Sequence, residues 1–237
     1  MSGLDQRAWL GHRRIDLVEC GSTNDEAAAL ARAGAAHGTI VIAERQTRGR
    51  GRDGRTWLSP AGGLYMSAVL RPALALAEVP PLTLAIGVGA CEAAREHGAD
   101  ARLKWPNDLY AGGKKLGGIL VEAQSQSSRL DSVVAGIGVN LATTPDLDTA
   151  AALGTVDRSA FIATLIARLE HWIDCYVARG ISAIVPAWRE HMMQGLALRA
   201  GGVVGDLAGL DDDGALLLRD GAGRIHRIRS GDVAIVS

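Results

Sequence analysis

The sequence predicts an α+β protein, with helices packed on a mixed, mostly antiparallel sheet and a small β-barrel at the C-terminal end. Three observations carry this. Short β-branched or alternating runs recur between turn residues, two longer segments have helical spacing, and from about Gly195 the texture changes to glycine-punctuated β-like runs. The 237 residues suffice for one ordinary domain with its own core plus a small appendage.

Taken in order, Arg14–Cys20 alternates apolar and polar residues and reads as a strand. A helix follows from Thr23, where Thr23 and Glu26 have capping-box spacing. It runs through the helix-prone Ala27–Ala33 and stops at Gly34. Thr39–Glu44 is β-branched and apolar, a buried strand entering an Arg/Gly segment. Gly63–Leu70 reads as a strand and Pro81–His97 as an Ala-rich helix, with short strands at Arg102–Trp105, Lys115–Glu122 and Ser132–Val139. In Ser159–Tyr176 the large residues Phe161, Leu165, Leu169, Trp172 and Tyr176 recur every three or four positions, as on an amphipathic helix. A shorter helix covers Ile181–His191. The runs GGVVGDLAGL, GALLLRD, RIHRIRS and DVAIVS then suggest the barrel, whose opening segment Gly195–Gly205 is too short to define its first strand.

Composition excludes several classes. The net charge is −1, so the chain as a whole lacks the electrostatic footprint of a nucleic-acid binder. Its cationic chemistry is local, with Arg45, Arg48, Arg50, Arg52 and Arg55 close together. The first residues mix Arg7, Arg13 and Arg14 with acids and lack a signal peptide's apolar stretch. The most apolar run, Leu82–Cys91, falls short of the roughly 20 residues that cross a bilayer. Cys20, Cys91 and Cys175 are scattered and odd in number, ordinary thiols of a reducing compartment. A cytoplasmic protein with no membrane association is expected.

The most informative stretch is QTRGRGRDGRTW at 46–57. Its glycines at 49, 51 and 54 satisfy GxGxxG, but loop-forming residues follow where a dinucleotide fold needs a helix, and no Walker A motif occurs. A loop with arginine at alternate positions suits an anion such as a phosphate ester, because guanidinium forks bind its oxygens and glycines let the backbone approach. Taken alone, it reads equally as a solvated charged segment. Lys104-Trp105-Pro106-Asn107-Asp108 reads as a strand end and turn, with Lys115 starting the next strand, so that two lysines come to neighbouring strand ends. Ser22-Thr23-Asn24 places hydroxyls and an amide at a helix start, equally a plain cap or a head-group site. Asn140 closes the apolar GIGVNL, which alone says nothing specific.

Together, STN at 22–24, QTRGRGRDGRTW at 46–57, LKWPNDLY at 103–110, KKLGGILVE at 114–122 and GIGVNL at 136–141 resemble the catalytic domain of biotin protein ligases, a class II aminoacyl-tRNA-synthetase-like fold. The ending around GALLLRDGAGRIHRI resembles that family's SH3-like C-terminal domain. The resemblance implies a catalytic domain over 1–192 and the SH3-like domain over 193–237. It implies formation of biotinyl-5′-AMP from biotin and ATP, then transfer to a lysine of a biotin carboxyl carrier protein domain. By the same resemblance Lys115, Arg50 and Arg52 are catalytic, Lys115 as a fixed cation at the biotin carboxylate and α-phosphate. Ser22, Thr23, Asn24 and Gln46, with Arg50, Gly51, Arg52 and Lys115, are implied to bind biotin. Arg50, Arg52, Arg55, Trp57, Lys104, Asn107 and Asn140 are implied to bind the nucleotide, Trp57 by stacking on adenine. Mg²⁺ is expected with ATP, held by phosphates and water rather than a dedicated site, with Glu122 and Asp108 as outer ligands. The glycine-rich loop is expected to close over the adenylate.

The first strand begins near Arg14 and leaves no room for the N-terminal winged helix that some family members carry, so no operator binding through such a domain is expected. A lipoate ligase or lipoyl-type acyltransferase is the enzymatic alternative, and GRGRDGR followed by KWPND belongs to the biotin pattern. A nucleic-acid-binding module built on the arginine loop would need aromatic platforms, whereas aromatics make up 4% of the chain. No nucleic-acid partner is expected. Homodimerisation is left open.

Overall fold

A computed structural model describes residues 8–126, 129–144 and 148–236, so residues 1–7, including Arg7, lie outside the described residues. The first part of the chain runs β1 (Arg14–Cys20), α1 (Thr23–Arg32), β2 (Thr39–Gln46), β3 (Leu64–Leu70), α2 (Val79–Glu96), β4 (Ala101–Lys104), β5 (Asp108–Ala111), β6 (Lys114–Gln126), β7 (Arg129–Val139), α3 (Arg158–Arg179) and α4 (Val185–His191). These seven strands form one sheet in the order β1-β2-β3-β7-β6-β5-β4. Only β1 and β2 pair in parallel. The expected α+β architecture with a mostly antiparallel sheet is therefore present.

Three local readings change. Helix α1 has Ser22 rather than Thr23 as its cap residue, with no side-chain capping bond. The Thr23 hydroxyl turns instead to Gln46 and Ser67, so the capping box with Glu26 does not form. Strand β5, which starts at the last residue of KWPND, was not expected from the sequence and pairs with both β4 and β6. The expected helix over Ile181–His191 begins as a 3₁₀ turn at Ile181–Ala183 and becomes α-helical from Val185, beside Pro186.

Because strand side chains alternate, the sheet has two different faces. One carries Ile40, Ile42, Leu64, Met66, Leu70 and Ile137 into the main core, where α2 and α3 cover them with Leu82, Ile86, Phe161, Leu165 and Leu169. The segment Leu76–Glu96, which includes α2, is long and apolar enough to cross a membrane, but most of it is buried in this packing. On the other face, Ala27 and Ala31 of α1 close over Val41, Val69 and Val134. Next to that small cluster, register sets Tyr65 opposite Gly138, Ser67 opposite Gly136, Gly118 opposite Gly138 and Leu120 opposite Gly136. A line of glycines thus leaves the middle of this face hollow.

The C-terminal segment forms a second, antiparallel sheet from β8 (Ala197–Ala200), β9 (Val203–Leu210), β10 (Leu216–Arg219), β11 (Ile225–Ile228) and β12 (Val233–Ile235), in the order β11-β10-β9-β8-β12. Its first strand, undefined in the sequence, is β8, which pairs with both β9 and β12. Side chains of the first unit hold it in place. Lys104 Nζ donates to the Val233 carbonyl at 2.6 Å and Trp105 Nε1 to the Gly214 carbonyl at 3.0 Å. The Arg189 guanidinium caps the Leu210 carbonyl at 2.6 Å.

Candidate active site

The hollow of the sheet is a cleft of about 130 Å³ walled by the N-terminus of α1, the arginine segment, β3, β6 and β7. Its floor depends on glycine. A methyl group at Gly136 would collide with the Asn24 amide, and one at Gly138 would stand 2.6 Å from Trp57 Nε1. The indole of Trp57 therefore lies inside the cleft against Gly138, with Lys115 Nζ 5.3 Å from its ring centre.

The arginine segment is a hairpin continuing β2. Gln46 bridges to Ser59 and Arg50 to Thr56, Trp57 N–H donates to Gly49 O at 2.9 Å, and Gly51 N–H donates to Arg55 O at 2.7 Å. The tip is a 3₁₀ turn at Arg52–Gly54, with Asp53 in the left-handed region at φ 54°. Such a frame lets neighbouring arginines take different partners. Arg50 spans Glu122 at 2.8 Å and Asp25 at 2.8 Å. Burial disfavours its charge, but the two carboxylates outweigh that and raise the guanidinium above its ordinary value. Arg52 donates to Asn107 Oδ1 at 3.3 Å, and Arg55 reaches Asp232 beside β12 at 2.6 Å.

The polar wall at α1 is a continuous, partly buried network. Gln46 Oε1 accepts from Thr23 N–H at 2.7 Å and lies 3.1 Å from the Thr23 hydroxyl, while Gln46 Nε2 donates to Ser59 at 2.8 Å. The Ser67 hydroxyl is 2.6 Å from Asn24 Oδ1 and 2.8 Å from the Thr23 hydroxyl. Asn24 Nδ2 donates to Glu122 at 2.6 Å. Ser22, Thr23, Asn24 and Ser67 are all buried, so these groups are held in place before any ligand arrives. At the opposite wall Lys115 Nζ pairs with Asp108 at 2.6 Å, and one third of its side chain remains exposed.

Ser22, Thr23, Asn24, Gln46, Arg50, Gly51, Arg52, Arg55, Trp57, Asn107 and Lys115 thus come together around one cleft from separate segments. Lys104 and Asn140 do not. Lys104 is buried with its amine on Val233, and burial lowers its ammonium below the usual lysine value, Asp108 opposing and Lys115 adding to the shift. Asn140 is buried at the end of β7, where Nδ2 donates to Ala151 O at 2.9 Å. Both side chains support the frame rather than the cleft wall. Sequence reasoning missed Ser67, Tyr65, Gly136 and Gly138, whose alternation along β3 and β7 was the available signal. A second cavity of about 600 Å³ shares Arg52, Asn107, Ile119 and Leu120 with the first and extends between α2 and the C-terminal sheet. Among the described residues no group of three or more His, Cys, Asp or Glu side chains could hold a metal ion. Asp108 and Glu122 are each paired with cations.

The Biotin/lipoate A/B protein ligase family matches residues 21–140, the stretch that contributes every cleft residue. The Biotin protein ligase C terminal domain matches residues 196–236, the second sheet. The chain belongs to the biotin protein ligase family. This ligase is 36% identical over 232 residues to the Bifunctional ligase/repressor BirA of Bacillus subtilis, covering 90% of this chain and 71% of that one. It is 36% identical over 236 residues to the Biotin--[acetyl-CoA-carboxylase] ligase of Paracoccus denitrificans, covering 88% and 95%. Among solved structures, the biotin protein ligase from Aquifex aeolicus in complex with biotin and ATP superposes with a TM-score of 0.82 at 30% identity, covering 95% of the ligase and 99% of that chain.

Proposed function

We infer that this cleft carries out both steps of ATP-dependent biotin ligation. The observation that supports the reading most strongly is the convergence of Lys115, Arg50 and Arg52 on a glycine-floored cleft with a preorganised polar wall. In the first step a carboxylate oxygen of biotin attacks the α-phosphorus of ATP and pyrophosphate leaves, giving biotinyl-5′-AMP. In the second, the neutral ε-amine of a carrier lysine attacks the acyl carbon, AMP departs and the amide loses a proton. Negative charge crowds the reacting phosphate in the first step, and Lys115 answers it by exchanging Asp108 for substrate oxygens. Arg50 and Arg52, with the backbone of Gly51, hold the adenylate's phosphate, and Arg55 braces the hairpin.

Ser22, Thr23, Asn24 and Gln46 bind biotin's ureido end in the smaller cavity. The nucleotide extends past Trp57 and Asn107 toward the larger cavity, a course supported by the residues that the two cavities share. Lys104 and Asn140 act on it indirectly, through the C-terminal sheet and the segment after β7. Mg²⁺ would accompany the phosphates of ATP and offset their charge rather than sit on a dedicated set of side chains. The acceptor is the biotin carboxyl carrier domain of a biotin-dependent carboxylase, the division lies at 192/193, and the enzyme works in the cytoplasm. A lipoate ligase is disfavoured by the match of the last segment to the biotin ligase C-terminal domain.

Biotin-dependent pyrophosphate exchange tests the reading through Lys115→Ala. Loss of one charge-stabilising donor is expected to cut exchange by about 10²–10³-fold. Stability should change by only about 0.2–1 kcal/mol, because the pair is partly exposed and Asp108 keeps Lys104 at 3.7 Å. Unchanged exchange would remove Lys115 from the reaction.

A further inference from the structure

Glu122, on β6, touches both the arginine hairpin and the polar wall. Its carboxylate accepts two hydrogen bonds from Arg50, at 2.8 and 3.1 Å, and one from Asn24 at 2.6 Å. A carboxylate offers no proton, so Asn24 must present its nitrogen to Glu122, and that nitrogen also faces the Leu120 carbonyl at 3.3 Å. Asn24 Oδ1 is then turned to Ser67, which is fully buried and has a single proton to give.

The sense of the remaining wall follows. Gln46 Oε1 is fixed as an acceptor because it receives the Thr23 backbone N–H. With Ser67's proton on Asn24, the Thr23 hydroxyl must direct its own proton into the protein, to Gln46 or Ser67. Its lone pairs are left for a bound ligand. We propose that Glu122 is a positioning residue that sets the donor–acceptor sense of this wall, presenting the Thr23 hydroxyl to an N–H group of the substrate while tying Arg50 across the cleft. The proposal rests on the reading of the cleft as the biotin site.

The test uses the full chain, biotin titration by calorimetry, and the KM for biotin against kcat in pyrophosphate exchange. Glu122→Gln lets Asn24 reverse its amide and is expected to raise the biotin Kd and KM about tenfold or more, with a smaller effect on kcat. Asn24→Asp sets two carboxylates against each other and should lose more. The double variant E122Q/N24D restores the pairing with the charge moved rather than removed. The amide introduced on β6 then donates to the carboxylate introduced on α1, and Ser67 donates to that carboxylate's other oxygen. The Leu120 contact and the longer Arg50 bond, which shares its oxygen with Asn24, are not recovered, while the 2.8 Å bond from Arg50 stays on the remaining oxygen, so biotin affinity should return to within about fivefold of the parent. A merely packing role for Glu122 gives no such rescue. If E122Q binds biotin like the parent, or the double variant is as poor as the two single losses combined, the inference is overturned. Should Asn24→Asp not fold, E122Q and the double variant, each checked by thermal melting, decide alone. A parent chain that fails to bind biotin overturns the reading of the cleft itself, whereas a binding parent with failed rescue overturns only the role of Glu122.

Discussion

Replacing Gly136 by alanine tests the glycine floor, and its cost can be worked from the contacts. The new methyl would drive into the Asn24 amide, whose carbon and nitrogen stand 2.8 and 3.0 Å from it. Neither side can yield. Asn24 is buried and anchored to Ser67 and Glu122, while β7 is paired on both edges. Displacing Asn24 sacrifices one neutral hydrogen bond, about 0.5–1.5 kcal/mol, and one to a charged group, about 1.5–3 kcal/mol. Relief of glycine's backbone entropy returns about 0.5–1 kcal/mol. A net loss of about 2–3 kcal/mol follows, comparable to other overpacked cores. With a urea m-value of about 3 kcal/mol/M, the unfolding midpoint should fall by nearly 1 M. Gly118→Ala is the control, because its methyl would meet only ordinary contacts at 3.6–3.7 Å and should move the midpoint little. Coincident midpoints for the two variants would refute this account of the floor.

Other perturbations have definite outcomes. Tryptic cleavage between Arg48 and Arg55 should slow when biotin and ATP are both present, and equal rates with and without them would defeat the closing-loop expectation. Asp220 is held below its ordinary value of 3.8 by His226 and by backbone N–H groups of Arg224 and Ala222. A depressed carboxylate stabilises above its unfolded value and loses that contribution as pH falls toward the folded one. The urea midpoints of the parent and Asp220→Asn should therefore differ at pH 6 and converge on acidification below about 3.8; a constant gap would exclude the linkage. Burial, with neighbouring acids, pushes the Cys20 thiol up to about 11, and burial pushes Cys91 to about 12. Iodoacetamide at pH 8 should therefore label the partly exposed Cys175 ahead of both, as peptide mapping will show.

The segments that make the cleft were legible because their chemistry is concentrated in short runs: STN, the arginine hairpin, and the lysine of KKLGG. What stayed hidden depends on register. Ser67 sits in the apolar run LYMSAVL, and nothing local says which face it occupies until β3 is set against β7, where it meets Gly136. Gly136 and Gly138 looked uninformative for the same reason. Lys104 resembled Lys115 as a strand-end lysine, but β4 is the sheet's edge and docks the C-terminal sheet, which takes the amine. Thr23 shows a local rule overridden, since its hydroxyl satisfies Gln46 and Ser67 instead of capping its own helix. Strand β5 was masked because its four residues follow directly on turn chemistry.

The most direct test combines the purified chain with biotin, Mg-ATP and an apo biotin carboxyl carrier domain, followed by mass spectrometry of the carrier. The expected result is one biotin on the carrier's lysine, dependent on ATP and lost in Lys115→Ala. An unmodified carrier, or one that accepts lipoate but not biotin under the same conditions, would contradict the account.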